Sequence, residues 1–294
     1  SSLALMYDYL MQCYAKGASE KSKPWMLQGE IKFICPVPGY DRHFGICEYL
    51  GIKMIPVPMN SEGPDMDMIE DLVKDESVKG MVCVPKYSNP TGITYSDEVV
   101  RRLAKMETAD DFRIIWDNAY CVHDLFGKAD KLLDILSECE KAGNPNRAVM
   151  FASTSKISFS GAGVACLAAN AENLAYIKKR CLIQTIGHDK FNQLRHVRYF
   201  KDAEGVRRHM SMLSDIISPR FEAVLSAFDK DLKPRGIARY NKPNGGYFIS
   251  LDVMDGCAKR VYELCKDGGV TLTPCGATYS YGKDPRDENI RIAP

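Results

Sequence analysis

Short apolar runs alternate with stretches of helical period along most of this chain. Continuous runs at Ile31–Cys35, Ile52–Val57, Gly80–Val84, Phe112–Asp117, Ala148–Ala152 and Gly163–Ala169 predict strands. They are mostly unbroken rather than alternating, the pattern of strands covered on both faces. Between them, Asp41–Leu50, Asp65–Asp75, Ser96–Glu107 and Ala171–Ile183 predict helices. The opening SSLALMYDYLMQCYAKG is helical in period as well. This β/α alternation implies an α/β fold: a mostly parallel sheet with helices on both faces.

Beyond residue 200 the texture changes. Ala203–Phe228 reads as one long helix containing Pro219. Strands are predicted at Gly236–Tyr240 and Tyr247–Val253 around a PNGG turn, then a helix near Cys257–Asp267. Two further strands are expected near Val270–Leu272 and Ile290–Ile292. Such a mixture suggests a smaller α+β domain, so the expected division is a large domain over 1–205 and a small one over 206–294. A length of 294 residues suits two domains of roughly 150 each.

Composition narrows the function classes. With 45% apolar and 26% charged residues the chain has ample material for a core, which argues against disorder. Lys and Arg number 39 against 38 Asp and Glu, and that balance speaks against a partner made of phosphate backbone or anionic membrane. Eleven cysteines are scattered without a CxxC pair, so a zinc ribbon or thioredoxin-type site is not expected. Several lie in apolar runs, which reads as reduced core thiols and a cytoplasmic protein. No apolar stretch reaches the roughly 18 residues of a membrane span. The chain opens without a methionine, already inside a helical pattern, and stops at ENIRIAP. These ends carry the expectation of a longer protein in both directions.

Ligands of open α/β sheets bind at the carboxyl ends of strands, so the residues after each strand matter most. PKYSNPTG follows Gly80–Val84, DNAY begins at the end of Phe112–Asp117, and STSK follows Ala148–Ala152. Asn89 stands in the first cluster, Asp117 and Tyr120 in the second, Ser153, Ser155 and Lys156 in the third. A lysine just past a buried strand risks desolvation, which lowers its pKa and makes its amine nucleophilic. A carboxylate at a buried strand end needs a partner. The hydroxyls and small residues Ser158, Ser160, Gly161 and Gly163 make a turn able to aim donors at a phosphate. Pyridoxal phosphate needs a lysine for its Schiff base and an acid for its ring nitrogen. Asp117 fits the second demand, Asn89 and Tyr120 fit donors to the ring oxygen, and Ser153 fits the phosphate.

At these residues the sequence resembles the aspartate aminotransferase superfamily, fold type I of the pyridoxal-phosphate enzymes. The motifs are NPTG at 89–92, DNAY at 117–120, STSK at 153–156, PNGGYF at 243–248 and NIRIAP at 289–294. Asn89, Asp117, Tyr120, Lys156 and Arg291 are separated in turn by 28, 3, 36 and 135 residues, which suits the family. CPVPGYDRHF and NQLRHVR are similar to the subgroup near MocR-type regulators and bacterial subgroup-Ic aspartate aminotransferases. The resemblance implies that Lys156 is the Schiff-base lysine and then the base that moves the Cα proton, and that Arg291 holds the substrate carboxylate. It places a phosphate-binding hydroxyl at Ser2 and a ring-stacking aromatic at Tyr40, with Phe44 the other candidate. It places His188 and Lys190 where relatives reach toward the neighbouring subunit's site. It departs at Val164, where many relatives carry a phosphate-binding arginine; Ser158, backbone N–H groups or a cation not assigned from the sequence are the expected substitutes. The resemblance implies an aminotransferase with amino acid and 2-oxo acid substrates, 2-oxoglutarate among them, and a homodimer with shared active sites. An aspartate, other dicarboxylic or aromatic donor is open. So are two other outcomes: the pyridoxal-phosphate-binding domain of a MocR-type regulator with its DNA reader elsewhere, and a lyase on the same fold.

Overall fold

The computed structural model describes residues 1–294. Seven strands make the main sheet: β1 (Lys32–Val37), β2 (Lys53–Asn60), β3 (Gly63–Pro64), β4 (Val78–Cys83), β5 (Arg113–Asp117), β6 (Ala148–Ser153) and β7 (Ala165–Ala168). Their order is β3-β2-β1-β4-β5-β6-β7. β2, β1, β4, β5 and β6 run parallel, while β3 and β7 are antiparallel edges. Three strands, β8 (Ala238–Tyr240), β9 (Ile249–Val253) and β10 (Asn289–Ile292), form a second, antiparallel sheet in the order β10-β9-β8.

Unbroken apolar strands arise here because alternate residues serve two cores. Phe33, Cys35, Val82, Ile115, Val149 and Phe151 point to one face, against α1 (Ser2–Lys16), α2 (Asp41–Tyr49) and α6 (Ala171–Gln184). Ile34, Met81, Cys83, Ile114, Trp116 and Ala148 point to the other. There they meet Ile69 of α3 (Met66–Leu72), Val99, Val100 and Leu103 of α4 (Asp97–Lys105), and Ile135 and Cys139 of α5 (Ile135–Lys141). Helix starts follow capping chemistry: Ser96, Asp134 and Asn170 each accept a backbone N–H in the first turn of α4, α5 and α6. All eleven cysteines are free thiols, and Cys13, Cys35, Cys47, Cys83 and Cys139 are buried. No helix is long and apolar enough to cross a membrane.

Several expectations needed revision. Val270–Leu272 is not a strand: it pairs with neither edge of β10-β9-β8, and Val270 is exposed behind the end of α9 (Ala258–Asp267). That segment instead runs on as a loop bringing Thr273 to Arg291. α5 and α7 (Lys190–Phe200) lacked a clear apolar stripe and were not anticipated, whereas α8 (Ala203–Ala227) matches its prediction and runs through Pro219. The run at Gly163–Ala169 contributes only the edge strand β7, antiparallel rather than parallel.

Candidate active site

Four parallel strands end on one side of the sheet, and each exit delivers a functional group. Past β1 come Tyr40 and, at the start of α2, Asp41 and His43. Past β4 comes the turn carrying Asn89. β5 ends on Asp117, and β6 ends on Ser153, three residues before Lys156. The second sheet supplies Arg291 from β10. Its PNGG turn is pressed against the same region: a Cβ on Gly245 would lie 2.3 Å from the Tyr87 ring and 2.4 Å from the His123 carbonyl oxygen. Only glycine lets that turn approach so closely.

Asp117 is buried, with Oδ2 3.0 Å from His43 Nε2. Its Oδ1 is also buried and has no hydrogen-bond partner. An orphaned carboxylate oxygen is costly in an interior and marks a place for a cationic or N–H donor. His43 was missed in the sequence. Its only signal was its place three residues after Tyr40, one helical turn along α2, and its ring meets the Tyr40 ring edge-on at 5.0 Å.

Lys156 Nζ stands 4.7 Å from the Tyr120 ring centroid and 5.9 Å from that of Tyr40. Burial lowers its pKa, opposed in part by Asp117. Burial raises the pKa of Tyr120, with Asp117 adding to it, so its hydroxyl stays a proton donor. The Lys156 carbonyl accepts from the Tyr247 hydroxyl at 2.9 Å and faces His123 Nε2 at 3.3 Å. Since a carbonyl only accepts, Nε2 carries the proton of a neutral His123.

Burial pushes the His123 pKa down to about 4. The folded protein therefore stays unprotonated there while the unfolded chain, near 6.5, takes a proton. Above pH 6.5 this has no effect on stability; as pH falls from 6.5 toward 4 the unfolded state gains, by about 3 kcal/mol at most. His123→Gln should lose less stability than the parent over that interval, as read by denaturant titration at each pH. Equal losses in both proteins would mean that His123 titrates normally.

Arg291 reaches across to the main sheet. Nη1 donates to Asn89 Oδ1 at 3.1 Å and to Asp41 Oδ1 at 3.0 Å, Nε donates to Thr273 Oγ1 at 3.2 Å, and Cζ lies 5.1 Å from the Phe248 ring centroid. Asn89 is buried, and holding Arg291 with its oxygen leaves its amide N–H groups for another acceptor. At the other end, Ser2 Oγ is 3.4 Å from Ser153 Oγ, which also accepts from the Ser155 N–H at 3.4 Å. A Cβ on Gly163 would sit 2.9 Å from Ser155 Oγ, so the missing side chain keeps this hydroxyl corner open. The amino end of α1 is here too, and its free N–H groups suit an anion.

The other candidates lie elsewhere. Ser158 Oγ bonds His196 Nε2 at 2.7 Å and the Thr154 carbonyl at 3.1 Å, which turns it into the wall of a separate cavity of about 550 Å³ with Phe159, Arg195 and Tyr199. Phe44 is buried in the core under Gly39, so of the two stacking candidates only Tyr40 approaches Lys156. His188 and Lys190 are exposed. Val164 bonds Thr154 through its backbone and brings no charge to replace an arginine.

A partly buried lysine amine, an acid with one bare oxygen, and a guanidinium on a second sheet are the groups that an aminotransferase of the pyridoxal-phosphate fold type I superfamily requires. Residues 1–294 match the family described as aspartate amino-transferase. A putative aminotransferase of Mycolicibacterium smegmatis is 50% identical over 100% of this chain and 69% of its own length. The crystal structure of an aspartate transaminase from Corynebacterium glutamicum superposes with a TM-score of 0.98 at 49% identity, over 100% of this chain and 70% of that one. An alpha-aminoadipate aminotransferase of Thermus thermophilus, solved with N-(5'-phosphopyridoxyl)-L-leucine, shares the fold at a TM-score of 0.81 and 22% identity, over 100% of this chain and 70% of that one. The chain belongs to the aspartate amino-transferase family, and its function is amino-group transfer between an amino acid and a 2-oxo acid.

Proposed function

We propose that this aminotransferase holds pyridoxal phosphate between Lys156, Asp117 and the Ser2–Ser153–Ser155 corner, and that L-aspartate is its amino donor. One observation carries the cofactor reading: Asp117 Oδ1 is buried and unbonded while Lys156 Nζ stands nearby without an acceptor. The donor reading rests on the relative named aspartate aminotransferase in Corynebacterium glutamicum, 49% identical over 100% of this chain and 68% of its own length.

Bound there, pyridoxal phosphate supplies an electron sink that acidifies the amino acid's Cα–H. Asp117 Oδ1 keeps a proton on the ring nitrogen, and His43 fixes the other oxygen. The Asn89 amide and the Tyr120 hydroxyl donate to the ring oxygen. Tyr40 covers one side of the pocket. Lys156, whose burial favours the free amine, would accept the Cα proton as the general base. Arg291 orients the α-carboxylate. The hydroxyls of Ser2, Ser153 and Ser155 with the amino end of α1 hold the phosphate, a cradle that does without the arginine expected at 164.

Borohydride treatment of the full-length holoprotein followed by peptide mapping should find the label on Lys156; a label on another lysine overturns the reading. Arg291→Ala should raise KM for the amino donor by about 10²-fold, because truncating one partner of a buried charge pair costs about 2–5 kcal/mol. Steady-state kinetics checks this, and a KM within threefold of the parent removes Arg291 from the substrate site.

A boundary near residue 205, a homodimer and a cytoplasmic location complete the reading. All seven strands of the main sheet precede that boundary and all three of the second follow it. Leu182, Ile183, Ile186, Phe191 and Val197 of α6, α7 and their connection are exposed apolar side chains, a surface suited to a second copy. Eleven free thiols suit a reducing compartment.

A further inference from the structure

A guanidinium has five N–H bonds. In Arg291 three of them are engaged: one on Thr273 Oγ1 through Nε, and two on Asn89 and Asp41 through Nη1. The remaining two both belong to Nη2. A substrate carboxylate gripped by a two-pronged fork needs N–H groups on two neighbouring nitrogens. It can have them only if a present partner leaves.

Charge selects which one. Asn89 and Thr273 are neutral, but Asp41 already sets a carboxylate 3.0 Å from Nη1. One positive charge cannot neutralise two carboxylates, and these would repel each other at a few ångströms. Arg291 cannot easily yield instead, since Phe248 packs on its plane and Asn89 and Thr273 hold its edges. Asp41 can. It is the first residue of α2, where the helix dipole favours an anion, its side chain is partly exposed, and its Oδ2 lies 3.8 Å from Arg42 Nε.

We propose that Asp41 is a specificity-determining residue: in the substrate-free protein it occupies the carboxylate seat on Arg291, and the substrate α-carboxylate displaces it toward Arg42 and the amino end of α2. The inference rests on Arg291 being the carboxylate holder. Asp41 thereby sets a threshold. A ligand with a full carboxylate charge can replace it, whereas an amino-acid amide leaves the Asp41–Arg291 pair in place and is refused.

The test uses the full-length holoenzyme and 3-phenylpropionate, a monocarboxylate without an amino group, with dissociation constants from calorimetry. Asp41→Asn should bind the probe about threefold to tenfold more tightly than the parent, the scale of a partly exposed charge pair, and KM for the amino donor should fall in parallel. Asp41→Ala should shift both quantities the same way. Unchanged or weaker probe binding in the two variants overturns the proposal, because it makes Asp41 a support for Arg291 rather than a competitor. Arg291→Ala in the same titration separates the two ideas: it should lose the probe. Full binding there would remove the carboxylate role of Arg291 itself, and the role of Asp41 with it.

Discussion

Lys156→Ala should lower the rate of the amino acid half-reaction by about 10⁴-fold or more, the upper end of what a positioned proton-transfer group contributes. Two properties of this amine make the loss large. Its nitrogen stands over Tyr120 and close to Tyr40, with no acceptor of its own in the chain, so it is free to meet a ligand. Burial lowers its pKa, so near neutral pH it exists as free amine more often than a surface lysine. Lys156→Arg should not restore the rate, since a guanidinium stays protonated and cannot act as a base. Folding should survive both changes, because Lys156 forms no ion pair and its carbonyl keeps the Tyr247 and His123 contacts. Single-turnover absorbance with an amino donor measures the effect. A rate within tenfold of the parent in the alanine variant would take the proton transfer away from this residue.

Asp117→Asn should cost about 10² to 10³ in the same rate, the usual loss when a preorganised charge at a reacting system is removed. The amide is nearly the size of the carboxylate and can still meet His43, so packing is kept while the negative charge is lost. The cofactor should also be held less tightly, measured by dialysis against buffer. His43→Leu tests the support separately. It removes the partner of Oδ2 and leaves the charge of Asp117, so its loss should be at least tenfold smaller than that of Asp117→Asn in the same assay. Equal losses would mean that orientation, rather than charge, is what Asp117 provides.

Much of the site could be read in the sequence because its residues stand where apolar runs stop. Asp117 terminates FRIIWD, and Lys156 follows the run through Ala152 by four residues. A buried strand must end somewhere polar, and in a parallel sheet those ends gather on one side. The main helices were readable for a similar reason: period and capping are local. Val270 and Thr271 favour a strand, yet a strand needs pairing along an edge, and this segment lies along neither edge of β10-β9-β8. α7 was hidden because it carries charge and apolar groups with no stripe facing a core.

The sequence alone determined the two-sided α/β sheet and the order and spacing of Asn89, Asp117, Tyr120, Lys156 and Arg291, since both depend on local periodicity and on where hydrophobic runs end. Only the tertiary structure decided the partners. His43 meets Asp117 across 74 residues, Asp41 meets Arg291 across 250, and Ser158 turns to His196 rather than to Ser153. Hydrogen bonds of that kind leave no period in the chain. They exist because tertiary packing brings distant, ordinary-looking side chains within about 3 Å, where partial or full burial strengthens each pairing.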